Sequence, residues 1–105
     1  MIILSDEIYS ALTFDDQYKS ISNYYPEGTI VSTGLSKWCG AGGWRLGFFA
    51  IPKELKELKQ SLKILCSESF TSVSAPIQHA AIEAYRNYHS NYVNSVNKIL
   101  SFTAN

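Results

Sequence analysis

The chain has 105 residues, of which 46% are hydrophobic, and its nine basic residues balance nine acidic ones. This length suits one small domain, and the absence of net charge excludes a general electrostatic attraction to nucleic acid or to an anionic membrane. The longest apolar runs, residues 1–4 and 48–51, are far shorter than the ~20 residues of a membrane-spanning helix, and no signal-peptide pattern opens the chain.

The first predicted element is a strand at the start of the chain. Residues 1–4 are an apolar run without alternation, which is typical of a strand buried on both faces of a parallel sheet. The sequence Ser-Asp-Glu-Ile-Tyr follows at residues 5–9. Ligands of open α/β sheets bind beyond the carboxyl ends of the strands. The order therefore places Asp6 at a binding edge, as a buried carboxylate.

A second strand leads into a glycine-rich loop. Residues 29–33 form a β-branched run after Pro26 and Gly28, which predicts a strand. Five of the six glycines then lie within residues 34–47, a density that excludes a helix interior. Because glycine allows a positive φ and a close approach of backbone to a ligand, this segment predicts a loop folded around a ligand.

The loop contains one lysine and one arginine, eight residues apart. Lys37 offers an amine nucleophile, and Arg45 offers a planar, permanently charged fork that suits a phosphate. The other large side chains of the loop are interpreted as packing residues; they are Trp38, Cys39 and Trp44.

A third strand and a helix follow the loop. Residues 45–51 are predicted to form the strand, and Pro52 to begin a helix at a position where its missing N–H is harmless. The spacing predicts one packed apolar face along that helix, made by Leu55, Leu58, Leu62 and Leu65.

The last predicted elements are a hydroxyl-rich loop over residues 67–74 and a helix that Pro76 opens. If residues 87–91 remain helical, one helix of about 40 Å spans residues 76–102. Its predicted apolar face consists of Ile77, Ala81, Ala84, Tyr88, Tyr92, Val96 and Ile99.

Residues 5–9 and 34–47 together resemble the class I/II aminotransferases, pyridoxal phosphate (PLP) enzymes of fold type I. Every position from Gly34 to Gly47 fits the lysine-attachment pattern of that family, and the resemblance continues more loosely from residue 1 to about residue 92. It implies an α/β fold in which three strands with flanking helices form part of the large PLP-binding domain, with the third strand antiparallel.

The resemblance implies a role for each matching residue. Lys37 is the catalytic residue and forms a Schiff base with the aldehyde of pyridoxal 5'-phosphate, and Arg45 holds the phosphate. Asp6 faces the pyridine nitrogen, and Tyr9 bonds the ring hydroxyl. This assignment agrees with the chemistry, because a nearby carboxylate keeps the ring nitrogen protonated and so strengthens the electron sink.

One position departs from the commonest pattern of the family. Many members carry a serine three residues before the lysine, where its hydroxyl contacts the phosphate, but this chain has Gly34 there, as other members do. We expect the backbone N–H of Gly34 to take over that contact. Ser36 and Thr33 are further candidate hydroxyl donors.

Members of the family are several times longer than 105 residues. The resemblance therefore implies that residues 1–105 are a fragment of the large domain, lacking its N-terminal half and the small domain. We expect the fragment to be inactive alone and the full-length parent to be a homodimer that transfers an amino group from an amino acid to a 2-oxo acid in amino-acid biosynthesis. Two alternatives stay open: a related PLP-dependent C–S lyase or cyclopropane-forming synthase, and a non-catalytic fragment or interaction module.

Cysteine and histidine give no sign of a metal site. Cys39 and Cys66 are too few and too unpatterned for a disulfide framework or zinc, and His79 and His89 have no ligand companions at useful spacing. We interpret both histidines as surface or helix residues. Free thiols fit the cytoplasm, so we expect a cytoplasmic protein with no metal and with neither nucleic acid nor membrane as partner.

Overall fold

A three-stranded sheet forms the centre of the computed structural model, which describes residues 1–15, 17–88 and 90–104. The strands are β1 (Ile3–Asp6), β2 (Thr29–Gly34) and β3 (Gly47–Ala50), in that order across the sheet. β1 pairs with β2 in parallel and β2 with β3 antiparallel. The predicted α/β class, with three strands and an antiparallel third strand, is confirmed.

The bounds and burial of the outer strands differ from the prediction. β3 begins after Arg45, because that residue has a left-handed backbone (φ 55°) and belongs to the loop. β1 was expected to be buried on both faces, but Leu4 is 65% exposed. The prediction of burial on both faces is therefore wrong for this chain.

Three α-helices follow the sheet: α1 (Lys56–Ser69), α2 (Ala75–Arg86) and α3 (Ser90–Thr103). A short 3-10 turn (Lys53–Leu55) with Pro52 as its N-cap leads into α1, so the predicted role of Pro52 at a helix start is confirmed. The predicted face of α1 is correct up to Leu62. Leu65 is 61% exposed, and Cys66 is the half-buried residue one turn after Leu62.

A break separates α2 from α3, so the single helix over residues 76–102 is wrong. Asn87 has a non-helical backbone (φ −106°, ψ 46°), and its side-chain amide donates to Glu83 Oε2 at 3.0 Å. The break shifts the apolar face by one residue, because Val93 is buried while Tyr92 is 48% exposed. His79 is exposed on α2 as expected, whereas His89 lies outside the described residues.

The hydrophobic core lies beneath the glycine-rich loop. Leu35, Trp38 and Leu46 come from the loop itself, and Ala81 of α2 and Val93 of α3 complete the cluster. The apolar side chains of the loop pack against α2 and α3, and this packing holds the loop in place. Packing is confirmed for Trp38 and for the half-buried Cys39.

Trp44 does not share this packing. Its side chain is 51% exposed, so the prediction that Trp44 is a packing residue is wrong. It lies in a 3-10 turn (Gly42–Trp44) and is not among the residues that pack in or against the core cluster.

Gly34 occupies the narrowest point of the loop. A Cβ atom there would lie 2.5 Å from the carbonyl oxygen of Leu46 and 2.9 Å from Cα of Gly47. These are backbone atoms, which cannot move aside as a flexible side chain could. Only glycine fits at this crossing without displacing β3 from β2.

We predict that Gly34→Ala lowers the free energy of unfolding by about 1–3 kcal/mol, because the added methyl group overlaps backbone. Gly43→Ala is the matched control, since nothing lies within 4 Å of a Cβ at Gly43, and it should change stability by less than about 0.5 kcal/mol. Urea denaturation measures both. Equal stability of the two variants would contradict the close approach.

Candidate functional site

An open cavity of about 270 Å³ lies where the ends of β1 and β2 meet the returning loop. Four residues that the sequence singled out line it together: Asp6, Thr33, Ser36 and Arg45. Its other lining residues are Ile8, Ser32, Leu46 and Gly47. The parallel pairing of β1 with β2 explains this convergence, because the carboxyl ends of parallel strands meet at one edge of the sheet.

Asp6 ends β1, in register with Ser32 of β2. Its Oδ1 accepts a hydrogen bond from the backbone N–H of Ile8 at 3.3 Å. The residue is exposed, so the expectation of a buried carboxylate is wrong for this chain. The cavity side of Asp6 is open because no described element covers it.

Arg45 lies opposite the strand ends, in a strained part of the loop. Its left-handed backbone (φ 55°, ψ 45°) costs a non-glycine residue about 1–3 kcal/mol, and such outliers cluster at functional sites. Its Nη1 donates to the carbonyl oxygen of Gly42 at 2.8 Å. This bond orients the exposed guanidinium, whose fork retains other N–H donors for an anion.

Lys37 and Tyr9 form a second group beside the cavity residues. Lys37 Nζ lies 5.2 Å from the centre of the Tyr9 ring, within the range of a cation–π contact. Neither residue lines the 270 Å³ cavity, and Gly34 does not line it either. Ser36, which precedes Lys37 in the chain, connects the two groups.

The three charges of the site are not neutralised by one another. Within residues 1–15, 17–88 and 90–104, the ion pairs are Lys53 with Glu54 at 3.9 Å and Glu83 with Arg86 at 3.1 Å. Asp6, Lys37 and Arg45 are therefore available to a ligand. A carboxylate and a guanidinium on one cavity suit a small molecule that carries both a cationic nitrogen and an anionic group.

Sequence reasoning missed Ser32 as a lining residue of the cavity and left Glu7 without a role. Ser32 faces the site only because it is paired with Asp6, and strand register is not written in either strand alone. Glu7 is 8% exposed, and its Oε1 accepts hydrogen bonds from Ser20 Oγ at 2.6 Å and Ser5 Oγ at 3.1 Å. Its position in the sequence, directly after Asp6 at the end of the predicted strand, was the available signal.

Tyr18 contacts the same acidic group. Partial burial, and then the negative charge of Glu7 and a hydrogen bond to it, raise the pKa of the Tyr18 phenol above its ordinary value of 10.0. A hydrogen bond with Ser5 acts in the opposite direction. The phenol therefore stays protonated at neutral pH and adds a hydroxyl to the surroundings of Glu7.

A larger cavity of about 900 Å³ lies between β3, α1 and α2. Most of its lining is apolar, including Phe48, Val73, Ala81 and Ile82, so it offers less to a charged ligand than the smaller cavity. Among the described residues, no cluster of three His, Cys, Asp or Glu side chains could hold a metal ion. In the described part of the chain, no helix is both long and apolar enough to cross a membrane.

Comparison with known proteins points to one family. The family model for aminotransferase class I and II matches residues 1–102. The chain is 42% identical over 87 residues to the "Probable N-acetyl-LL-diaminopimelate aminotransferase" of Bacillus subtilis, covering 83% of this chain and 21% of that protein. It is 36% identical over 89 residues to the aspartate aminotransferase of Geobacillus stearothermophilus, covering 81% and 22%.

A solved structure gives the same result. The chain superposes on a double mutant of Thermus thermophilus aspartate aminotransferase with a TM-score of 0.79 and 29% identity, over 92% of this chain and 25% of that one. The chain spans about a fifth of the length of the curated relatives that it matches. By sequence and by fold, the chain belongs to the class I and II aminotransferase family.

Proposed function

We propose that this chain is part of the large, PLP-binding domain of a longer aminotransferase, in which Lys37 attaches the cofactor. The observation that carries the proposal is the convergence of Asp6, Ser36 and Arg45 on one cavity. Ser36 directly precedes Lys37 in the chain. Members of the family use PLP, and the donor set of this cavity fits its charged groups.

Each part of the cofactor has a matching group in the chain. The planar fork of Arg45 suits the phosphate, and the hydroxyls of Thr33 and Ser36 add hydrogen-bond donors on the same cavity. The carboxylate of Asp6 suits the pyridine nitrogen, because a negative charge nearby favours the protonated ring. Close packing already accounts for glycine at position 34, and we retain its N–H as a phosphate donor in the proposal.

The reaction requires little more of these residues than placement and one proton transfer. PLP, when bound, supplies the electron sink for cleavage of a bond to the substrate Cα. The Lys37 amine would hold the cofactor aldehyde, and as a free amine it would be the base for the proton on the substrate Cα. The Tyr9 hydroxyl would donate a hydrogen bond to the cofactor, and the face of its ring lies 5.2 Å from Lys37 Nζ.

The substrate class and the assembly are also proposals. The relatives' names include an aspartate aminotransferase and an N-acetyl-LL-diaminopimelate aminotransferase, which supports an amino acid and a 2-oxo acid as substrates in amino-acid biosynthesis. We propose a cytoplasmic homodimer for the complete protein. β1 and β3 each have an edge without a pairing strand among the described residues, which supports inactivity of residues 1–105 alone.

We predict that borohydride reduction of the complete protein with PLP places the pyridoxyl label on Lys37, located by peptide mass mapping. Lys37→Ala should lose the label and all turnover. Lys53→Ala is the control, because the Lys53 side chain is 92% exposed and remote from the loop in sequence, and it should keep both. A label on another lysine would refute the assignment.

We predict that Asp6→Asn retains the label at Lys37 but lowers kcat by about 100-fold or more, because a neutral amide cannot hold the ring charge. Asp15→Asn is a matched control, since Asp15 accepts the N–H of Gln17 at 3.2 Å in the same kind of turn that Asp6 makes with Ile8. Steady-state kinetics compare the two. Similar rates in both variants would count against Asp6 as the pyridine partner.

A further inference from the structure

Glu7 is a buried acid that the proposed chemistry does not use. It lies directly after Asp6 and is 8% exposed. Among the residues that the structure describes, it has no cationic partner within ion-pair distance. Its oxygen Oε1 instead accepts two serine hydroxyls, Ser20 Oγ at 2.6 Å and Ser5 Oγ at 3.1 Å.

A buried carboxylate without a cationic partner is energetically unfavourable compared with an apolar side chain. Removing a carboxylate from water is unfavourable, and an apolar side chain of similar volume is often as stable or more so. Unlike an apolar side chain, the carboxylate accepts directional hydrogen bonds. One of them holds Glu7 against Ser20, which lies 13 residues later in the chain. The acidic group therefore points to a geometric role.

Ser20, the hydroxyl donor of this link, is itself held by further hydrogen bonds. Ser20 caps a 3-10 turn (Ile21–Asn23), and its Oγ accepts the backbone N–H of Ser22 at 3.1 Å. The two hydroxyls of Ser20 and Ser22 lie 2.7 Å apart. Glu7 is thus bonded to a capped turn and not to a free side chain.

The backbone of Glu7 is fixed as well, between two residues of the site. Its N–H donates to the carbonyl oxygen of Ser32 at 2.8 Å, and its own carbonyl accepts the N–H of Ser10 at 3.0 Å. Asp6 precedes Glu7 and Tyr9 follows within the same turn. Asp6 lines the cavity, whereas Glu7, which directly follows the last residue of β1, is buried and does not line it. Fixing Glu7 therefore also restricts the direction in which Asp6 points.

We propose that Glu7 is a positioning residue: its buried carboxylate, held by Ser5 and Ser20, fixes the turn after β1 so that Asp6 faces the cavity. This inference rests on the proposed function, because Asp6 must matter to the cofactor for its direction to matter.

A double-mutant cycle in the complete protein tests it. Glu7→Ala, Glu7→Gln and Ser20→Ala are made with Asp6 intact and again in Asp6→Asn, and the PLP dissociation constant is measured by absorbance titration. Glu27→Ala is the control, since Glu27 is an exposed glutamate that makes no hydrogen bond or ion pair with the described residues of the site. A thermal melt of each variant shows that it is folded.

With Asp6 intact, we expect Glu7→Ala to weaken PLP binding about tenfold and Ser20→Ala severalfold, because a buried acceptor network is broken. Glu7→Gln keeps an accepting oxygen and should stay within about threefold of the parent protein. In Asp6→Asn the effect of Glu7→Ala should shrink to less than about twofold, because the residue that it positions is gone.

Equal effects of Glu7→Ala in both backgrounds, or effects no larger than those of Glu27→Ala, would overturn the positioning role while leaving the proposed function intact. Failure of the parent protein to bind PLP would overturn both. If Glu7→Ala does not fold, the effects of Ser20→Ala on PLP binding with Asp6 intact and in Asp6→Asn are compared instead.

A second measurement does not depend on the cofactor. In ¹³C-tyrosine NMR spectra, with the Tyr18 signal assigned from Tyr18→Phe, Glu7→Gln should lower the pKa of Tyr18 toward 10.0, because the charge that helps to raise it is removed. Glu27→Gln should leave it unchanged. An unchanged Tyr18 pKa in Glu7→Gln would mean that the carboxylate does not lie in this hydroxyl network.

Discussion

The contact on which the site depends is the crossing of Gly34 with Leu46 and Gly47. There the loop that contains Lys37 closes on itself: the N–H of Leu35 donates to the carbonyl oxygen of Leu46 at 3.3 Å, and the carbonyl of Leu35 accepts the N–H of Ala41 at 3.1 Å. Leu35 is 1% exposed and joins the core. Because the loop is closed and anchored in this way, its two charged residues are held at the edge of the sheet without a ligand.

The closed loop concentrates unpaired charges and a strained backbone at the candidate site. Arg45 has a strained backbone, and Asp6, Lys37 and Arg45 have no ion-pair partners among the described residues. A ligand with complementary charges would relieve the electrostatic cost, which is the usual reason for a fold to retain such a site. The hydrogen bonds of the buried Glu7 serve the site in another way, since they order the turn after β1.

Much of this could be predicted from local sequence. The glycine density of the loop, the β-branched run before it and the aspartate after an apolar run are features of short segments, and the family resemblance placed Asp6, Ser36 and Arg45 at one site. Register could not be predicted, because the pairing of Asp6 with Ser32 depends on both strands at once. The helix break at Asn87 was missed because the apolar pattern continues across it, whereas the backbone of Asn87 leaves the helical region (φ −106°, ψ 46°).

Exposure contradicted expectation at Leu4 and Asp6, as it did at Leu65 and Trp44. The first strand was predicted to be buried on both faces of a parallel sheet and Asp6 to be a buried carboxylate, whereas the chain spans about a fifth of the length of the curated relatives that it matches. Burial is a property of the whole domain, whereas strand order and loop closure are properties of this segment. The geometry of the cavity is therefore set within this segment.

A crystal structure of the complete protein with PLP tests the account most directly. We predict that the phosphate lies within hydrogen-bond distance of the Arg45 guanidinium, the pyridine nitrogen beside the Asp6 carboxylate, and the aldehyde carbon bonded to Lys37 Nζ. Cofactor bound elsewhere, for instance in the apolar cavity between β3, α1 and α2, or bound with neither Asp6 nor Arg45 in contact, would contradict it.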